Sequence, residues 1–115
     1  MLFMLLIKTS RLAEKKPPRM DLRKKMDAYN DALDAAGVKV MAKGLCPDSE
    51  AYKLSFPIDG EPGLLLQGPF KKDVNQLAGF FLLELPSIEV ALGWLKKAPD
   101  PQCFGEGEIE LRQIR

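Results

Sequence analysis

The chain has 115 residues, which suits one domain spanning 1–115, and 46% hydrophobic against 29% charged residues is an ordinary globular balance. A net charge of +1 provides no global field to gather nucleic acid or an anionic membrane. The absence of histidine excludes Ser–His and Cys–His nucleophile pairs, while Cys46 and Cys103 are too few for a disulfide framework or a zinc site.

Met1-Leu-Phe-Met-Leu-Leu-Ile7 lacks the basic start and small-residue cleavage site of a leader and is far shorter than the ~20 residues of a membrane span. A buried strand over about residues 2–8 accounts for it, because a strand covered on both faces reads as a continuous apolar run. A polar connection follows, ending at Pro17-Pro18. A helix is expected from about Met20 to Ala36, since Leu22, Met26, Tyr29, Leu33 and Ala36 share one helical face. Gly37 stands where a left-handed C-cap belongs. Asp27, Asp31 and Asp34 line the other face, which reads as solvated helix surface rather than a metal stripe.

Val38 to Leu45 alternates as a second strand, broken by Cys46-Pro47-Asp48-Ser49. Tyr52 to Pro57 and Leu64 to Gln67 read as a hairpin around the turn residues Asp59-Gly60-Glu61-Pro62-Gly63. Gly68-Pro69 stops the second arm, and Phe70 to Gln76 connects onward. Gly79 to Leu85 is almost wholly apolar and is expected to be a central strand. Ser87 is the expected N-cap of a second helix carrying Ile88, Ala91, Leu92 and Leu95 on one face and ending before Pro99 and Pro101. Gly105-Glu106-Gly107 lacks the following helix of a phosphate loop and turns into a last alternating strand, Gly107 to Ile114.

The order β-α-β-(β-β)-β-α-β is the split βαβ pattern of an α+β, ferredoxin-like fold with an inserted hairpin. Both helices must then cover one sheet face. The other face is also apolar, and a second copy of the sheet is the expected cover, forming a dimeric α+β barrel with a cleft between protomers.

Met4-Leu-Leu-Ile-Lys8, Tyr29-Asn30, Ala36-Gly-Val38, Gly44-Leu45 with Pro47, Gly68-Pro-Phe70, Gly79-Phe-Phe-Leu-Leu-Glu84, Ala91-Leu-Gly-Trp94 and Gly105-Glu-Gly-Glu-Ile-Glu-Leu-Arg-Gln113 resemble, almost end to end, the DGPF domain of YCII-related proteins. The resemblance implies a homodimeric α+β barrel and bacterial, cytoplasmic proteins, without implying one activity. Two positions depart from it. Gln67 stands where the family's Asp-Gly-Pro-Phe opens with aspartate, and the histidine of a suspected histidine–aspartate pair has no counterpart, so neither half of that pair carries over.

The expected ligand pocket is Tyr29, Asn30, Gln67, Gly68, Pro69, Phe70 and Phe80. Gln67-Gly68-Pro69-Phe70 either lines the inter-subunit cleft, with Gln67 offering a neutral amide, or is a turn with Phe70 as a core plug. In the first case neutral or anionic ligands are favoured. Tyr29 reads as core with its hydroxyl partnered at the rim. Cys46 reads as a small buried hydrophobe, and both cysteines as free thiols of a reduced, cytoplasmic protein. Lys8, Arg11, Lys15, Lys16, Arg19, Arg23, Lys24 and Lys25 form a local basic excess with no interleaved aromatic residue, so a solvated surface is favoured over nucleic-acid binding. No cofactor or metal is expected, for want of histidine and of a dinucleotide fingerprint.

Two functions fit: a non-catalytic small-molecule-binding or regulatory module, or a cleft enzyme of lyase or isomerase type using carboxylate, lysine or tyrosine. For the enzyme, Glu84 and Asp73 are the carboxylates at hand, and no catalytic residue is assigned. A partner role in transcription is a third, weaker fit.

Overall fold

The computed structural model describes residues 1–9, 20–70, 76–101 and 107–115. The strands are β1 (Leu2–Thr9), β2 (Lys39–Gly44), β3 (Tyr52–Ser55), β4 (Leu64–Gln67), β5 (Gln76–Glu84) and β6 (Glu108–Gln113), with helices α1 (Met20–Ala35) and α2 (Ile88–Lys97). The expected readings of Pro17-Pro18, Asp73, Cys103, Gly105-Glu106 and the basic residues Arg11, Lys15, Lys16 and Arg19 lie outside the described residues.

Four strands form an antiparallel sheet in the order β2-β5-β1-β6, the ferredoxin-like arrangement in which each βαβ half brackets a strand of the other half. The apolar run of β1 places it in the interior, hydrogen-bonded to β5 on one side and β6 on the other. Alternation then separates two faces. Phe3, Leu5 and Ile7 of β1 and Phe81 and Leu83 of β5 point to the helices, where they pack with Tyr29 and Leu33 of α1 and Ala91 of α2. Met4, Leu6, Phe80 and Leu82 point the other way and are only half-buried. No described helix covers that second face, and no described helix is long and apolar enough to cross a membrane.

Both helix ends carry the sequence signals expected of them. Gly37 has φ +71°, and the Val38 and Gly37 amides donate to the carbonyls of Leu33 and Asp34 at 3.2 and 3.0 Å, a Schellman stop for α1. Ser87 Oγ accepts from the Val90 amide at 3.2 Å, capping α2. Lys39 of β2 ties to α1 by donating to Asn30 Oδ1 and Asp34 Oδ2, both at 2.8 Å.

Some elements differ from the sequence reading. Ile88 and Leu92 are 41% exposed each, and α2 presents Ala91, Trp94, Leu95 and Ala98 to the core instead. That set has the same i, i+3, i+4, i+7 spacing, shifted by three residues, and it brings in the bulky indole. Strand β5 starts at Gln76, three residues before Gly79, because a register shift against β1 between Ile7 and Lys8 carries the pairing past Ala78. Ala36 lies beyond α1 and is exposed. The hairpin β3–β4 is a two-stranded sheet of its own. The Cα radius of gyration is 16.1 Å, against about 13 Å for a compact chain of this length.

Candidate functional site

The site is built where the open end of the sheet meets the base of the hairpin. The bulge at Ala78 reverses the side-chain phase of β5, so that Gln76 is buried and Leu77 is 45% exposed. After β2, Leu45 is held by its amide donating to the Ala78 carbonyl at 2.8 Å, and the chain turns through Cys46-Pro47 into a 3-10 turn at Asp48–Glu50. Gln76 Oε1 accepts from the Asp48 amide at 3.1 Å. Asp48 Oδ2 in turn accepts from the Phe70 amide at 3.2 Å, and the Gly68 amide donates to the Ala51 carbonyl at 2.9 Å. Three segments distant in sequence are thus laced together by polar groups, which is how a loop keeps a fixed shape without a core of its own.

Gly68 is required by this lacing. A Cβ added there would fall 1.7 Å from the Asp48 carbonyl oxygen, so no side chain fits at the crossing of the two loops. The Gly68–Pro69 peptide is cis.

Between the loops lies a cavity of about 500 Å³. Leu45, Pro47, Ala51 and Leu77 supply apolar wall, and Asp48, Glu50, Lys53 and Gln76 supply polar groups. Phe70 lines it too, with the Lys53 ammonium 4.1 Å from its ring centroid. That contact holds a cation over the quadrupole of the ring and orients the lysine. Asp48 is 9% and Gln76 7% exposed, so both are fixed by burial as well as by hydrogen bonds.

Among the expected pocket residues, the structure brings Phe70 to the cavity and uses Gly68 as the crossing point. Pro69 is exposed beside them, and Gln67 is exposed at the end of β4, paired with Tyr52, outside the cavity lining. Tyr29 and Phe80 stand on opposite faces of the sheet. Tyr29 is buried with the helices, edge-on to Phe81 and Trp94, and its hydroxyl donates to the Trp94 carbonyl at 2.7 Å. Burial raises its pKa to about 12. Asn30 is engaged by Lys39. A shallower groove of about 410 Å³ lies between the helices, where Tyr29 meets Lys25, Trp94 and Lys97.

Cys46 is a free thiol, but it is exposed rather than buried, because β2 ends at Gly44 and the turn swings it onto the cavity rim. Glu84 sits at the other end of β5, paired with the Met1 amino group at 2.9 Å, and cannot share the cavity. Asp34 of the acidic stripe pairs with Lys39, and among the described residues no three metal-ligating side chains converge. Asp48 and Gln76 are the site residues that the sequence reading passed over. An aspartate directly after Pro47, at the start of a helical turn, was the available signal.

The sequence profile of the YCII-related domain matches residues 1–115, and the chain belongs to that family. No curated protein matches the chain.

Proposed function

We propose that this YCII-related protein is a non-catalytic small-molecule-binding or regulatory module that acts as a cytoplasmic homodimer. The observation that carries the reading is the cavity of about 500 Å³ built against Phe70. Its size falls in the range of ligand sites, its walls are mainly apolar, and its few polar groups are held in place. Since Gln67 stands outside the lining, charge selection falls to Asp48, Glu50 and Lys53. Two carboxylates beside one ammonium suit a neutral or zwitterionic small molecule.

The homodimer is supported by the uncovered sheet face, where Met4, Leu6, Phe80 and Leu82 are half-buried and Met41 is 46% exposed. A second copy placed there removes this apolar surface from water and stands over Leu77 at the cavity mouth. A second reading, acid–base catalysis in the same cavity, has the buried Asp48 carboxylate in its favour.

Chemical-shift mapping with a fragment library tests the proposal. Binders are expected to move the amides of Leu45 to Ala51 and Phe70, and Ala51→Trp, which fills the cavity, is expected to abolish those shifts. Binders collecting only in the groove between the helices would overturn it. Turnover of a bound fragment that Asp48→Asn abolishes without loss of binding would decide for the enzyme.

A further inference from the structure

The β3–β4 hairpin carries an exposed apolar surface of its own. Tyr52, Leu54, Phe56 and Leu65 share one face of the hairpin, with Ile58 at its tip, and are between 53% and 71% exposed, while Leu64, 56% exposed, points to the other face. The residues of that face and the tip present on the order of 600 Å², approaching the ~800 Å² that one partner gives to a standard interface. A scattered leucine on a surface needs no explanation, but a contiguous patch of this size marks a contact. An isolated two-stranded hairpin is also marginal in water, so its order depends on a third layer or strand.

Three features indicate what lies against it. Leu64-Leu65-Leu66 carries no charge, and among the described residues the outer edge of β4 has no backbone partner. Soluble proteins cover such an edge. The hairpin tip, Asp59-Gly60-Glu61, has two exposed carboxylates. The complementary surface is on the same chain: β2 is an edge strand with Val40 55% and Met41 46% exposed, followed by the exposed Lys43. The hairpin nevertheless leaves its own apolar face in solvent.

We infer that the hairpin is an intermolecular arm: it reaches past the dimer contact and packs on the β2 rim of a second copy. Its apolar face lies against Val40 and Met41, and its acidic tip lies toward Lys43. Two-fold symmetry makes the contact reciprocal, each protomer giving an arm and receiving one. This deepens the homodimer reading and rests on it.

Sedimentation equilibrium across micromolar concentrations, on the full chain, separates the two. Leu65→Lys alters an arm residue that is 71% exposed, and Leu82→Lys alters the open sheet face. Near-UV circular dichroism of Trp94, which packs with the helices, verifies that each variant keeps its core. The wild type is expected to be dimeric, and Leu65→Lys to raise the dimer dissociation constant at least tenfold. Amides of β4 and β2 are expected to lose exchange protection in that variant. If Leu65→Lys dimerises like the wild type while Leu82→Lys dissociates, the arm is refuted and the sheet-face dimer stands. If only Leu65→Lys dissociates, the sheet-face contact is refuted, and with it the arm as an addition to that dimer. A wild type monomeric at every concentration refutes both.

Discussion

Leu83 and Leu65 are the same side chain on strands of one molecule, and they meet different surroundings. Leu83 is 0% exposed, between the sheet and the helices. Leu65 is 71% exposed on the hairpin. The four-stranded sheet satisfies one of its faces internally, because two helices with matching apolar stripes return to it. The hairpin has no such layer, so its apolar residues contribute less to the stability of one protomer. What a strand's hydrophobicity stabilises therefore depends on which surface faces it.

The largest expected effect tests that contrast directly. Leu83→Ala removes a fully buried side chain and should cost about 2–5 kcal/mol in urea unfolding. Leu65→Ala should stay within about 0.5 kcal/mol, measured at concentrations where the protein is monomeric. Equal losses would mean that the hairpin belongs to the same cooperative core, and the comparison would collapse.

A smaller effect is expected at the junction of the two regions. Gly68→Ala forces a Cβ against the Asp48 carbonyl oxygen, and the backbone on both sides must give way. Overpacking of this kind costs about 1–3 kcal/mol. Chemical-shift changes should concentrate in residues 46–53, 68–70 and 76–77, leaving Leu33 and Ala91 unmoved. Shifts spread through α1 and α2 would show that the lacing is coupled to the helix side.

The ferredoxin-like order was legible because strong local signals set it: the apolar run of β1, Gly37 as C-cap and Ser87 as N-cap. The cavity was not legible, for two physical reasons. The bulge at Ala78 flips the phase of β5, which period-2 reading from Gly79 does not anticipate, and it alone turns Gln76 inward. The Asp48–Phe70 bond joins residues 22 positions apart through a backbone amide, an interaction with no side-chain pattern. Tyr29 was legible in part. Its helical phase places it in the core with a partnered hydroxyl, but phase says nothing of which sheet face Phe80 occupies.

Tyr29 sharpens the comparison at its polar limit, because it is the one hydroxyl in the buried cluster on the helix side. Tyr29→Phe removes the hydrogen bond to the Trp94 carbonyl and should cost about 0.5–1.5 kcal/mol at neutral pH. The pH dependence follows from the direction of the shift. Burial disfavours the phenolate, so the folded-state pKa of about 12 lies above the ordinary value of 10.0. The native state then holds this proton more tightly than the unfolded chain. The resulting stability is fully present below pH 10 and is lost as pH rises through about 12. The parent protein should therefore lose stability relative to Tyr29→Phe over that window, and its advantage should be used up before the upper end. The difference between parent and variant in phenolate absorbance at ~295 nm gives the same group directly. A midpoint near 10 in that difference would place the Tyr29 hydroxyl in water, and the helix side would then be as open there as the hairpin is.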